Sequence, residues 1–191
     1  MVRLPRVKTQ GFAFLGVDLG EKRIGLALAD GDGAPARPLT TIRRSGKGAA
    51  ADAALIRALA ATHDVGELVV GLPLEASGAE GRQAAITRAW VEAISPIVGL
   101  PVSFRDERLT SHLAETRLGP MKRGRSGGPP SRAQREAYRA RVDREAAAII
   151  LQDELDTRAG VRSSLPGPHR PPTPTTHRPS PPPGTPTENH R

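Results

Sequence analysis

Three carboxylates lie where the surrounding sequence has little other use for them. Asp18 is the one charged residue in Phe12–Leu19, a run otherwise apolar on both faces. Strand side chains alternate, so Phe12, Phe14, Gly16 and Asp18 share a face. Glu107 follows the strand-like run Pro101–Arg105, within Asp106-Glu107-Arg108. Asp143, Ala147 and Ile150 lie at i, i+4 and i+7, which puts Asp143 at the N-terminal end of a helix's apolar stripe. A carboxylate in apolar surroundings is costly unless it is paired, hydrogen-bonded or bound to a cation. Gathered carboxylates also repel one another unless a cation intervenes. Magnesium or manganese suits such an all-oxygen site. Two such ions can activate water and stabilise the leaving oxygen of a phosphodiester. Asp18 also has a plainer reading, as a cap on the N–H groups of the turn at Gly20. Asp106 is the rival of Glu107 as second ligand, and points to the opposite face if the strand continues.

The elements that must position these groups follow from the pattern. Phe12–Leu19 reads as a central strand covered on both sides. Gly20 opens a turn with Glu21-Lys22-Arg23 at its tip, and Ile24–Ala29 returns as a second strand. Gly25, inside that strand, implies close backbone approach or a bulge. Arg37–Arg43 reads as a third strand, with Pro35 and Pro38 placing it at an edge. Ala49–His63 reads as a helix with Ala54, Leu55, Ala58 and Leu59 on its apolar stripe. Glu67–Gly71 is a short buried strand. Glu80–Ile97 is a second helix, with Trp90 on a core face beside Ile86, Ala93, Ile94 and Ile97. A short helix runs to about Leu118, and Arg132–Asp156 forms the last. This order predicts an α/β domain, a mixed sheet flanked by helices.

Composition bounds the rest. The chain has 191 residues and no cysteine, which excludes disulfides, thiolate zinc and a cysteine nucleophile. Residues 1–11 form a basic arm without a signal-peptide cleavage pattern, 12–158 the domain, and 159–191 a proline-rich tail. Gly160–Arg191 holds 10 of the 19 prolines and almost nothing apolar, so disorder is expected there. No apolar run reaches the ~20 residues of a bilayer span, so a cytoplasmic location without membrane contact is expected. The net charge is +8. Between Arg117 and Arg144 nine Lys/Arg face two acids, an excess that accounts for nearly all of it. Such a segment, with the flexible basic loop 119–132 inside it, is a footprint for a phosphate backbone. Lys22 and Arg23 at the turn, Arg108 beside Glu107, and Lys122, Arg123 and Arg125 in the loop are the candidate nucleic-acid contacts.

Four motifs in order resemble the YqgF/RuvX family. They are Gly16-Val17-Asp18-Leu19-Gly20 with Lys22-Arg23-Ile24-Gly25, then Val70-Gly71-Leu72-Pro73, then Asp106-Glu107-Arg108-Leu109-Thr110-Ser111, then Val142-Asp143 with Ala146-Ala147 and Ile149-Ile150-Leu151-Gln152. Together they cover about Phe14–Leu155. The resemblance implies an RNase H-like fold, shared with the RuvC resolvases. It implies a cytoplasmic nuclease maturing the 5′ end of pre-16S rRNA in ribosome biogenesis, with the ribosomal particle as a partner. The family's earlier reading is a Holliday junction resolvase acting on branched DNA. The family's acidic residues fall here on Asp18, Glu107 and Asp143. The arginine- and proline-rich insertion, the basic start and the proline-rich tail depart from the family pattern. Two other classes compete. A strand-Asp-x-Gly turn also opens the sugar-kinase and actin-like ATPases, but this chain is too short for their paired domains. A non-catalytic RNA-binding module would keep the fold without the cleavage.

Overall fold

In a computed structural model of the chain, residues 11–31, 33–44, 46, 48–108, 110–121 and 128–160 are described. The arm before Gly11, the tail after Gly160 and the loop cations Lys122, Arg123 and Arg125 lie outside the described residues. The strands are β1 (Ala13–Leu19), β2 (Arg23–Ala29), β3 (Arg37–Arg43), β4 (Val65–Leu72) and β5 (Val102–Asp106). The helices are α1 (Ala49–Thr62), α2 (Arg82–Val98), α3 (Thr110–Leu118) and α4 (Arg132–Arg158).

The strands form one sheet in the order β3-β2-β1-β4-β5. The first three are antiparallel neighbours, and β4 and β5 add in parallel to β1. This is the mixed sheet expected from the element order, with β1 at its centre and β3 at an edge.

Alternation in β1 divides the core. Leu15, Val17 and Leu19 join Leu26, Leu68 and Val70 in a cluster with Ile56 of α1 and Trp90 and Ile94 of α2. On the other face Ala27, Ala29 and Val69 meet Ala147, Ile150 and Leu151 of α4. Helix α3 packs on α4 through Ala114, Val142 and Ala146. Ala146 therefore faces a helix, while Ala147 and Ile150 face the sheet.

Two helix faces differ from the sequence expectation. In α1 the buried residues are Asp52, Ala53, Ile56 and Ala60, and Leu55 is half exposed. An alanine-rich helix is apolar nearly all round, so periodicity does not select its face; the branched Ile56 takes the core position. In α2 Trp90 is buried as expected, but Ile86 is exposed and Thr87 is buried in its place. The Thr87 hydroxyl donates to Gln83 O at 3.2 Å, so its burial leaves no orphan group.

Helix α4 starts with a capping box. Gln134 N donates to the Ser131 hydroxyl at 3.2 Å, and Ser131 N donates to Gln134 Oε1 at 2.8 Å. At about 1.5 Å per residue the helix reaches across the whole sheet. Near its start the Thr41 hydroxyl of edge strand β3 donates to Ala140 O at 2.6 Å. At its end Arg158 donates to Glu67 of β4, with Nη1 3.0 Å from Oε2. The basic residues from Arg132 onward thus lie on the helix expected there.

Candidate active site

Two glycines let α4 lie directly on the sheet. A Cβ at Gly16 would come within 2.6 Å of Ala147 O and 2.8 Å of Leu151 Cβ. A Cβ at Gly25 would overlap the backbone carbonyl of Asp143. Gly25 is the partner of Asp18 across the β1–β2 ladder, and the register there is unbroken. The close-approach reading of Gly25 therefore holds; the irregularity in β2 comes one step later, between Leu26 and Ala27 opposite β3. Backbone contact at Gly25 places Asp143 above the end of β1 where Asp18 projects.

Glu107 arrives from the other side. It follows β5, and its N–H donates to Leu72 O at 3.3 Å. Its carboxylate fills the space over Gly71, where a Cβ would overlap Oε2 and crowd Ile150 Cδ1. Gly71 is therefore the vacancy that admits Glu107 to the α4 side of the sheet. Asp106 is occupied elsewhere: Arg108 donates to it from its backbone N at 3.0 Å and from Nε at 2.8 Å. Burial would raise the Asp106 carboxyl, but the Arg108 hydrogen bonds outweigh it and hold the group below its usual range.

The electrostatics converge on Asp18. Burial pushes its carboxyl up to about 8, helped by the charges of Glu107 and then Asp143, while Arg23 acts in the opposite direction. Burial, with a smaller contribution from Asp106, lifts Glu107 to about 7. Turn capping does not account for Asp18. The Gly20 N–H donates to Arg23 O at 2.9 Å, and no described residue donates a hydrogen bond to the Asp18 carboxylate.

Asp143 carries a partner that spacing did not reveal. Arg23 Nε donates to Asp143 Oδ2, and both side chains are about one-fifth exposed. Arg23, read from sequence as a nucleic-acid contact, is here an internal counter-ion. Arg108 is exposed but tied to Asp106, and Lys22 is exposed at the turn. Among the described residues, no three His, Cys, Asp or Glu side chains stand close enough to hold one ion as they are placed. The donor set nonetheless suits a hard divalent cation. Two of its three carboxylates carry raised pKa values, a penalty that a bound cation would remove.

A second buried carboxylate escaped the sequence reading. Asp52 is 3% exposed and accepts from Arg44 Nε at 3.0 Å and from Trp90 Nε1 at 3.1 Å. Arg44 Nη1 also donates to Gly20 O at 3.2 Å, which ties the β1–β2 turn to α1. An acid in a helix's first turn looks like an ordinary dipole partner, so its burial left no mark in the pattern.

Among the described residues no helix is long and apolar enough to cross a membrane. The family model described as RuvX, Holliday junction resolvase, matches residues 12–157. A protein of Anaeromyxobacter sp. (strain Fw109-5), named "Putative pre-16S rRNA nuclease", is 46% identical over 76% of this chain and 97% of its own length. A protein of the same name from Roseiflexus sp. (strain RS-1) is 40% identical over 75% of this chain and 93% of its own. Among solved structures, T. thermophilus RuvC in complex with a Holliday junction substrate is 16% identical, covers 78% of this chain and 98% of that one, and has a TM-score of 0.44. With a match spanning most of the chain and relatives this similar, the chain belongs to the RuvX family.

Proposed function

We propose that this chain is a divalent-metal-dependent endonuclease that processes the 5′ end of pre-16S rRNA. The observation that carries the reading is the convergence on Asp18. A carboxylate at the centre of the sheet has its pKa raised first by burial and then by the charges of two others, from β5's exit and from α4. A nuclease needs such a cluster, whereas a packing role would favour an apolar residue at that place. The names of the curated relatives supply the substrate class.

Asp18, Glu107 and Asp143 would hold magnesium or manganese, and Arg23 would leave Asp143 as the ion enters. When bound, the ion supplies Lewis acidity for the attacking water and the leaving oxygen. The chain's own contribution is a rigid seat. Gly16 and Gly25 set the distance between the sheet and α4, and Gly71 leaves the space that Glu107 fills beside the buried Ile150. Lys22, and Arg23 once released, would meet phosphates beside the cleaved bond, with Arg108 on the far side. The cations of the 122–125 loop would extend that contact, and the ribosomal particle is the partner such a substrate brings.

The test is cleavage of matched pre-rRNA, linear DNA and four-way-junction substrates with magnesium or manganese, comparing wild type with Asp18→Asn. Cleavage of the precursor RNA, lost in the variant, supports the reading. Preferential cleavage of the junction would favour the resolvase activity in the family model's description. Binding without cleavage of any substrate would leave an RNA-binding module.

A further inference from the structure

A groove of about 800 Å³ opens at Arg23, the partner of Asp143, between the β1–β2 turn, the end of β3 and the first half of α4. Its walls carry seven cationic side chains against three carboxylates, and none of its lining residues is aromatic. Part of that charge is already balanced. Asp52 holds Arg44, Asp143 holds Arg23, and Glu136 is shared by Arg43 and Arg132 at 3.2 and 3.1 Å. Among the described residues, Lys22, Arg135 and Arg139 have no carboxylate partner.

The arrangement concentrates positive charge rather than dispersing it. Arg23 and Arg43 are directly opposite each other across β2 and β3. Like charges in that position are unfavourable, and here Asp143 balances the first and Glu136 the second. Arg135, Arg139 and Asp143 lie at i, i+4 and i+8, a single row along α4. Each step of the row is about 6 Å, close to the distance between successive phosphates of an extended strand. The row starts in the open groove and ends at the candidate metal ligand.

We propose that this groove is a phosphate track. Arg135, Arg139 and Lys22 hold the backbone of one nucleic-acid strand flanking the cleaved bond and lead it to Asp143. The track takes phosphates without regard to base, because it offers guanidinium and ammonium groups and no stacking surface. The direction toward Asp143 rests on the nuclease reading; the binding does not.

The test is fluorescence anisotropy of the full chain with short single-stranded oligonucleotides of unrelated sequence, without divalent ions, over a range of salt. The variant is Arg135→Gln with Arg139→Gln. Both side chains are exposed, and glutamine is a good helix former. The log–log salt slope should flatten by about 0.7 per lost contact, so by about 1.4, and affinity should fall on the order of ten-fold, equally for all sequences. The control, Arg57→Gln with Arg82→Gln, removes two exposed arginines outside the groove and should leave the slope unchanged. An unchanged slope in the groove variant, or an equal fall in the control, overturns the track. Neither outcome depends on cleavage, so failure of the nuclease reading would be seen separately.

Discussion

Arg23, the first residue of β2, donates its Nε–H to Oδ2 of Asp143 on α4, and so neutralises the carboxylate that stands over the centre of the sheet. The same guanidinium lowers the pKa of Asp18, against burial and the charges of Glu107 and Asp143. One cation thus stands in for part of the charge that a metal ion would supply.

A metal ion bound as proposed would compete with Arg23 for Asp143, with a measurable consequence. Arg23→Gln should lower the stability of the metal-free protein by about 1–2 kcal/mol, the loss of one charge-assisted hydrogen bond at a partly exposed site. It should also shift the manganese-induced rise in Tm to lower manganese concentration, since no guanidinium has to leave Asp143. Melting curves across a manganese titration read both effects. An unchanged midpoint of the titration would show that Asp143 is not a ligand.

The raised carboxyls predict an inverted pH dependence. Asp18 binds its proton more tightly folded than unfolded, so its contribution to stability falls as pH rises from about 4 to about 8. Glu107 acts in the same sense between its ordinary range and about 7. Without metal, Asp18→Asn should therefore raise Tm above that of the wild type at pH 8 and lose the advantage near pH 4. About 1 kcal/mol moves Tm by roughly 2–4 °C in a chain of this size. A Tm difference that is constant from pH 4 to pH 8 would remove the electrostatic account of Asp18.

The glycine seats should be intolerant of a single methyl group. Gly25→Ala places a Cβ on the Asp143 carbonyl, and Gly16→Ala places one against Ala147 O. Backbone cannot rotate away as a side chain can, so each should cost about 3 kcal/mol, at the upper end of overpacking. Gly25→Ala should also move Asp143 and weaken manganese stabilisation more than Gly16→Ala does. Thermal melts with and without manganese decide this, and a neutral Gly25→Ala would mean that α4 does not rest on β2.

The Arg44–Asp52–Trp90 cluster gives an optical readout, because Trp90 is the single tryptophan of the chain. Asp52→Ala leaves a half-buried guanidinium without its carboxylate, at a cost of about 3 kcal/mol. It also frees the indole N–H, so tryptophan emission should shift while far-ultraviolet circular dichroism stays the same. Asp52→Asn should keep the indole hydrogen bond and show a smaller emission change. Identical emission in the two variants would count against the bond at Trp90.

Periodicity and side-chain chemistry determined much of this protein. The alternation in Phe12–Leu19 identifies a central strand, and the expense of a carboxylate in it singles out Asp18 before any fold is known. Pro38 demotes β3 to an edge, and the stripe Ala147–Ile150 turns Asp143 toward the sheet. These are local signals, legible because a strand or helix fixes which residues share a face. The tertiary structure decided what depends on separation in the chain. Arg23 and Asp143 are 120 residues apart, and no spacing announces their bond. Ile56 displaced Leu55 from the core because the alanine-rich α1 is apolar nearly all round, so only packing could choose its face. Glu107 rather than Asp106 joins Asp18 because Gly71, on a different strand, leaves room for one carboxylate while Arg108 holds the other. Side-chain identity sets the cost of burial, but which groups share that burial is settled only when the chain closes on itself.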